Sequence, residues 1–359
     1  MRQHRLKTVI DNMKKMELRQ LIVSDPCSIF YLTGIHVGPG ERLYALVVKD
    51  DGSAILFNNH LFPVKEQDGL KIVYHSDGED AMSGLASSLT DGLLGIDKVW
   101  PSKFLLDLLE KRHDIHPVLG SMAVDEARKI KDTEEIEQMR TASRLNDAVM
   151  ADAIAALGAG ISERSMVGIV GDLHVRHGAD AALSQLICYG TGCSEPHHDS
   201  GDATLKPGDS VILDIFAPVR HYWCDMTRTV FYKSARDEQK KVYEVVKAAN
   251  LAGIKAVRPG VPLSEIDRAA RKVIEDAGYG KYFTHRLGHG IGLDVHEPPD
   301  CSGVSSAVAV PGMCFSIEPG IYIPGEWGVR IEDLVVVTDD GVEVLNAYPK
   351  ELQIICQES

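Results

Sequence analysis

Residues 211–232 read VILDIFAPVRHYWCDMTRTVFY and place two acidic residues in a sequence that is otherwise typical of strands. Apolar, β-branched and aromatic residues dominate Ser210–Ala217 and Met226–Tyr232, which predicts two strands. Asp214 directly follows the apolar run Val211–Leu213, so we expect its side chain to point toward the interior, where an unpaired carboxylate is costly. A compensating partner is therefore expected for this acid.

Helical periodicity surrounds the strand pair. Four helices are predicted in the second part of the chain, at residues 133–157, 162–177, 236–257 and 263–277. The first begins after the start signal Asp132-Thr133-Glu134-Glu135. Leu186–Tyr189 is a further strand, and residues 284–345 are rich in Gly and Pro with short Val/Ile runs, which indicates strands and functional loops. Helices followed by strands, twice, favour an α+β class over a parallel β-α-β arrangement.

The first third of the chain resembles a small alternating α/β unit in its pattern. His4–Glu17 has helical periodicity, and Leu43–Val48 and Ser53–Asn58 flank an Asp-Gly turn. The pattern changes near Val124, so we predict two domains, residues 1–124 and residues 125–359.

Composition excludes several classes of protein. The chain has 359 residues, 44% of them hydrophobic and 25% charged, which is typical of a globular protein with two domains. It has no apolar run of signal-peptide or membrane-spanning length, and its seven cysteines form no C-x-x-C pair, so a reducing cytoplasm is the expected location. The net charge of −14 argues against nucleic acid and anionic membranes as partners.

Five residues share a strand or Gly/Pro-turn context that solvent exposure does not easily explain: Asp214, Asp225, His289, Glu318 and Glu332. Each of the acids taken singly is more often a cap or an ion-pair partner. Together, the four carboxylates carry the charge that two divalent cations would neutralise. Oxygen-rich ligation with one imidazole favours Mn²⁺, Co²⁺ or Fe²⁺ over a thiolate-type zinc site. Such a pair of cations activates water and polarises a carbonyl, which predicts hydrolysis.

The other candidate motifs lack features that their functions require. His296-Glu297 is followed by two prolines and lacks the second histidine of H-E-x-x-H. The segments Gly190-Thr191-Gly192 and Gly288-His289-Gly290 lack the third glycine of a dinucleotide fingerprint. His198-Asp199-Ser200 has no G-x-S-x-G elbow nearby, and neighbouring side chains rarely converge into a triad.

At these residues the sequence resembles the prolidase and aminopeptidase P branch of the pita-bread metallopeptidases. Ten residues separate Asp214 from Asp225 and thirteen separate Glu318 from Glu332, as in that family. DPCSIFYLTGI, residues 25–35, is similar to the family's early segment. The resemblance covers almost the whole chain and implies a pita-bread catalytic domain preceded by a smaller, creatinase/prolidase-like α/β domain.

The resemblance also implies roles for the acids. Asp214 would hold one metal ion, His289 and Glu318 the other, and Asp225 and Glu332 would bridge both. Glu318 would also shuttle a proton to the leaving nitrogen. The expected cofactors are two divalent ions, Mn²⁺ or Co²⁺ first, with Fe²⁺ or Zn²⁺ as alternatives.

Further residues match family positions. His197 and His296 would hydrogen-bond the oxyanion or the substrate. Arg330 would bind the substrate carboxylate, although pairing with site carboxylates is an open alternative. His285 is expected to support the site indirectly. One departure from the family is Phe216, which stands where many relatives have the glycine of Asp-x-Gly and leaves the accepted substrate size open.

These features predict a metal-dependent Xaa-Pro dipeptidase that releases proline from small peptides with proline at the second position. Three alternatives stay open: an Xaa-Pro aminopeptidase for longer peptides, a metal-free creatinase-like amidinohydrolase and a non-catalytic pita-bread protein. The resemblance further implies a homodimer.

Overall fold

The computed structural model describes residues 1–356, and the chain divides into two compact units, Met1–Arg128 and Lys129–Ser359. The boundary predicted between residues 124 and 125 falls inside the last helix of the first unit, Met122–Arg128, and stays a prediction. Within the described residues, no helix combines the length and the apolar character that crossing a membrane requires.

The first unit is a mixed six-stranded sheet with helices. Its helices are α1 (Gln3–Lys15), α2 (Pro26–Thr33), α3 (Ala81–Ser88), α4 (Ser102–Lys111) and α5 (Met122–Arg128). Its strands are β1 (Gln20–Val23), β2 (Ala45–Lys49), β3 (Ala54–Asn59), β4 (Lys71–His75), β5 (Gly92–Ile96) and β6 (Ile115–Leu119), in the spatial order β4-β3-β2-β1-β5-β6. The helix predicted over His4–Glu17 forms as α1 and buries Leu6, Val9, Ile10 and Met13.

The second unit contains two pairs of helices. They are α6 (Thr133–Ala156), α7 (Glu163–His177), α8 (Asp237–Ala256) and α9 (Leu263–Asp276), close to the four predicted ranges. The start signal before α6 is a capping box: the Asp132 carboxylate accepts from the Glu135 N–H at 2.9 Å, and the Glu135 carboxylate accepts from the Asp132 N–H at 3.0 Å.

Two sheets and a hairpin complete this unit. The strands are β7 (Leu186–Tyr189), β8 (Ser210–Val219), β9 (Tyr222–Tyr232), β10 (Gly288–Gly290), β11 (Glu297–Cys301), β12 (Cys314–Ile317), β13 (Gly320–Ile323), β14 (Trp327–Arg330), β15 (Asp333–Val337), β16 (Val342–Val344) and β17 (Ile354–Ile355). One sheet has the order β17-β9-β8-β7, the other has the order β11-β10-β12-β15-β16, and β13 pairs with β14.

The β8–β9 hairpin is longer than predicted, because β9 begins at Tyr222 instead of Met226. Arg220 and His221 form its two-residue turn with positive φ angles of 52° and 71°. Neither residue is a typical turn former. The carboxylate of Asp180 accepts hydrogen bonds from both of their backbone N–H groups, at 3.0 and 2.7 Å, and this distant contact replaces the local turn signal.

The two faces of β8 have different environments. Val211, Leu213 and Ile215 pack into an apolar core with residues of α6 and α7. Because successive side chains of a strand alternate, Asp214 and Phe216 point to the opposite face, where both are partly exposed. A second core lies between α8, α9 and the five-stranded sheet. The strand pair thus anchors one face in the core and presents acidic and aromatic groups on the other.

Candidate metal centre

Strands of both sheets supply the five predicted residues. Asp225 lies opposite Phe216 in the β8–β9 register and Asp214 lies opposite Thr227, so the two aspartates are diagonal neighbours on one face. His289 lies in β10, Glu318 follows β12 and Glu332 precedes β15. All five side chains line one cavity of about 690 Å³.

Close backbone packing holds His289 in place. A Cβ atom at Gly288 would overlap the carbonyl of Ser316, and one at Gly290 would overlap the carbonyl of Glu297. Only glycine therefore fits on either side of His289. The G-H-G segment is a packing requirement of β10 between its two neighbours, not part of a nucleotide-binding loop.

The imidazole of His289 faces three carboxylates. Its Nε2 lies 3.4 Å from Glu318 Oε1, 3.8 Å from Asp225 Oδ2 and 4.0 Å from Glu332 Oε1. Its Nδ1 lies 3.1 Å from the carbonyl oxygen of Gly290, which makes Nδ1 the protonated nitrogen. Burial lowers the pKa of His289 to about 3. The Nε2 lone pair of a neutral ring therefore points at acidic oxygens, an arrangement that suits a shared cation.

Without cations, keeping these buried carboxylates ionised raises the free energy of the folded state. Burial raises the pKa of Glu318 to about 7, and burial together with neighbouring acidic groups raises the pKa values of Asp225 and Glu332 well above their usual range. Oδ1 of Asp225 and Oε1 of Glu332 are buried without a hydrogen-bond partner among the described residues. Oriented, unsatisfied oxygens beside an imidazole lone pair fit divalent metal ions.

Hydroxyl groups orient two of these acids. Thr227 Oγ1 donates to Glu332 Oε2 at 2.8 Å. Ser316 Oγ donates to Glu318 Oε1 at 3.1 Å and accepts from the backbone N–H of His289 at 3.0 Å. Neither Thr227 nor Ser316 was predicted from the sequence as a site residue. Their signal was the strand period of two, since each lies two residues before or after a predicted ligand.

Arg330 is buried, and four of its five guanidinium N–H groups contact protein acceptors. Its Nη2 lies 2.7 Å from Asp214 Oδ2, so it pairs with a site carboxylate, the alternative that the sequence left open. Nε donates to Thr227 Oγ1 at 3.2 Å, and Nη1 donates to the Tyr322 hydroxyl at 2.9 Å and the Pro196 carbonyl at 3.2 Å. One N–H of Nη2 is left by these four contacts.

His285 continues this network. Its Nε2 lies 2.9 Å from the Tyr322 hydroxyl and its Nδ1 lies 2.7 Å from the Arg286 carbonyl oxygen. Burial lowers the pKa of His285 to about 3, so the ring is neutral and its Nε2 accepts from Tyr322. Tyr322 can then accept from Arg330. The sequence predicted His285 as a supporting residue but did not identify Tyr322.

The remaining predicted histidines lie at the cavity. His296 is exposed, and its ring centroid is 4.2 Å from that of His289 in an edge-on arrangement. His197 is exposed and lines the same cavity. Arg228 lies apart from them as a buried structural arginine that bonds Asp333 at 2.8 Å and the Glu332 carbonyl at 2.6 Å. Every predicted site residue thus lines the same cavity.

The chain is similar to known protein families and to a known peptidase. Residues 137–339 match the metallopeptidase family M24, and residues 5–130 match the creatinase/prolidase N-terminal domain. An uncharacterized peptidase of Staphylococcus aureus is 33% identical over 367 residues, covering 96% of this chain and 99% of the relative.

Two solved structures are similar along their whole length. A dipeptidase from Pyrococcus horikoshii OT3 is 33% identical with a TM-score of 0.93, covering 98% of this chain and 100% of that one. A prolidase from Thermococcus sibiricus is 32% identical with a TM-score of 0.94, covering 99% of each chain.

Proposed function

Because the chain belongs to metallopeptidase family M24, we propose that it hydrolyses Xaa-Pro dipeptides with the help of divalent metal ions and releases proline. The family assignment confirms the predicted architecture, a pita-bread catalytic domain after a creatinase/prolidase-like domain. The observation that carries the proposal is the convergence of four carboxylates and one neutral imidazole on a single cavity.

The proposed ligand set is the predicted one. Asp214 would hold one ion, His289 and Glu318 the second, and Asp225 and Glu332 would contribute to both. The oxygen-rich donor set supports Mn²⁺ or Co²⁺, with Fe²⁺ and Zn²⁺ as alternatives. When bound, such ions activate water and polarise the scissile carbonyl.

The chain's own residues supply proton transfer and orientation. Glu318 takes a proton from the attacking water and delivers it to the leaving proline nitrogen, a role supported by the partial exposure of its side chain in the cavity. His197 and His296 lie on the exposed side of the cavity, where their ring N–H groups can stabilise the developing oxyanion.

Arg330 supplies the cation for a substrate carboxylate. The free N–H of its Nη2 is the donor we propose, while Tyr322 and His285 hold the guanidinium plane. A dipeptide carries its carboxylate next to the scissile bond, within reach of this group, whereas a longer peptide carries it farther away. This contact therefore favours dipeptides. The homodimer and the cytoplasmic location stay predictions.

Proline release measures the proposed activity directly. The Mn²⁺-loaded protein should release proline from Ala-Pro, and should cleave Ala-Pro-Ala and longer Xaa-Pro peptides much more slowly. Pro-Ala and Ala-Ala serve as matched controls. Preference for the longer peptides would assign aminopeptidase activity instead, and failure to cleave any Xaa-Pro bond would refute the proposal.

A further inference from the structure

A cationic, an acidic and an aromatic side chain lie along the β8–β9 strand pair: those of Arg330, Asp214 and Phe216. Arg330 lies at one end, where its backbone N–H donates to Thr229 Oγ1 at 3.1 Å and its side chain reaches Asp214. Asp214 lies beside the Arg330 guanidinium, and Asp225 lies farther along the strand pair, opposite Phe216. Phe216 lies two residues beyond Asp214, away from the Thr229 end, at a strand rise of about 3.4 Å per residue. The Arg330 guanidinium therefore lies level with Asp214 and Thr227, and Phe216 lies two residues farther along β8, level with Asp225.

Phe216 is held firmly. The Gln185 side chain accepts from the Phe216 N–H at 2.8 Å and donates to the Phe216 carbonyl oxygen at 3.1 Å. The ring packs against Trp223 at a centroid distance of 6.3 Å, and Trp223 Nε1 donates to the Leu293 carbonyl at 3.0 Å. Phe216 is thus held through its backbone and by a ring contact, and its side chain lines the cavity.

The cavity that Phe216 lines contains apolar as well as polar side chains. Val167, Leu186 and Val295 line the same cavity, and each is partly buried. Leu186 lies opposite Asp214 in the β7–β8 register, so it is a diagonal neighbour of Phe216. Apolar surface that remains open in a cavity of this size is suited to an apolar group of a ligand.

We infer that Phe216 is a specificity-determining residue whose ring forms the wall of the pocket for the side chain that precedes proline. This inference rests on the proposed function. With the substrate carboxylate at Arg330, the proline lies at the arginine end and the scissile bond lies over the acidic centre. The side chain of the preceding residue then extends to the Phe216 end. The pocket therefore favours apolar residues such as Leu, Met or Phe before proline.

A substrate series tests the inference. We would measure kcat/KM of the Mn²⁺-loaded protein for Gly-Pro, Ala-Pro, Leu-Pro and Phe-Pro, together with bound metal per chain. Wild type should prefer Leu-Pro to Gly-Pro by on the order of 10-fold or more. Phe216→Ala should reduce this ratio by about 10-fold, mainly through Leu-Pro, and Phe216→Leu should retain most of it, since it preserves apolar bulk.

The outcomes separate the two proposals. An equal loss on all four substrates, or an unchanged ratio in a Phe216→Ala protein with full metal content, would overturn the role of Phe216 alone. If Phe216→Ala binds less metal, the inference is tested by the Leu-Pro to Gly-Pro ratio of kcat/KM in wild type and in Phe216→Leu. A wild type that does not prefer Leu-Pro to Gly-Pro overturns the inference. Absence of proline release from every dipeptide would overturn the proposed function and this inference with it.

Discussion

Arg330 and Asp214 form an ion pair of 2.7 Å at the wall of the cavity, with 4% and 17% of their side chains exposed. Among the described residues, the Arg330 guanidinium is the only Lys or Arg group within ion-pair distance of a predicted ligand's carboxylate. The other three predicted carboxylate ligands have no lysine or arginine within ion-pair distance among the described residues. If Arg330 binds the substrate carboxylate as proposed, this pair would link substrate binding to the charge balance of the proposed metal centre.

We expect Arg330→Gln to impair both binding and stability. It removes the donor for the substrate carboxylate and leaves a largely buried Asp214 uncompensated, so kcat/KM for Ala-Pro should fall by about 100-fold and the free energy of unfolding by about 3 kcal/mol. Steady-state kinetics and urea unfolding check these changes.

Arg164→Gln is the matched control for this variant. Arg164 also lines the cavity, but its pair with Asp202 is exposed on both sides, at 68% and 84%. Exposed pairs contribute little to stability, so this variant should unfold like wild type. Equal destabilisation by the two substitutions would contradict the account of Arg330.

The metal-free protein should lose stability as pH rises. Burial raises the pKa of Glu318 from 4.5 to about 7, so the folded chain holds a proton there that the unfolded chain releases between these values. The stabilisation that this proton contributes is complete below about pH 4.5 and is lost as the pH rises through 7. The free energy of unfolding should fall by about 3 kcal/mol from this group.

Urea unfolding in EDTA from pH 5 to pH 8 measures this loss. Glu318→Gln cannot titrate at this position, so its unfolding free energy should change less over the same range. Mn²⁺ should stabilise wild type most at the upper end, where the carboxylates are ionised. Identical pH profiles of the two proteins would show that Glu318 is not the responsible group.

Glu318→Gln should also separate proton transfer from metal binding. The amide retains an oxygen ligand but cannot accept and deliver the proton, so kcat on Ala-Pro should fall by about 10²- to 10⁴-fold. Metal content measured in parallel should stay close to that of wild type. A variant with normal kcat would exclude Glu318 as the proton shuttle.

His296→Ala should lower kcat by about 100-fold while leaving metal content unchanged, because it removes a hydrogen-bond donor beside the reacting carbonyl and not a ligand. His177→Ala is the control, since His177 pairs with Asp152 on the surface. Loss of metal from His296→Ala, or equal activity of both variants, would argue against this role.

The sequence predicted local structure best where local chemistry dominates. The four helices of the second unit were identified from periodicity and start signals, and the Asp132 capping box confirms one of these signals. Three elements of the first unit were missed, one of them the helix Met122–Arg128, where the sequence indicated only a domain boundary. Pro26–Thr33 is a helix of eight residues that begins at the Asp25 cap, and Ile115–Leu119 is an edge strand that is largely exposed and so lacks an apolar pattern.

The five proposed ligands were identified because strand patterns and neighbouring glycines can be recognised in the amino-acid sequence. The residues that orient them were harder to find. Tyr322, Thr227 and Ser316 are ordinary strand residues, and only the three-dimensional register brings their hydroxyl groups to Arg330, Glu332 and Glu318. The β8–β9 turn depends on Asp180, forty residues earlier in the chain, and no local pattern indicates such a contact.

Anomalous diffraction from crystals grown with Mn²⁺ tests the central claim most directly. We predict two anomalous peaks in the cavity, in contact with oxygens of Asp214, Asp225, Glu318 and Glu332 and with Nε2 of His289. The Asp225→Ala protein should lose at least one of them. Peaks elsewhere on the protein, or none at these five side chains, would contradict a dinuclear metal centre.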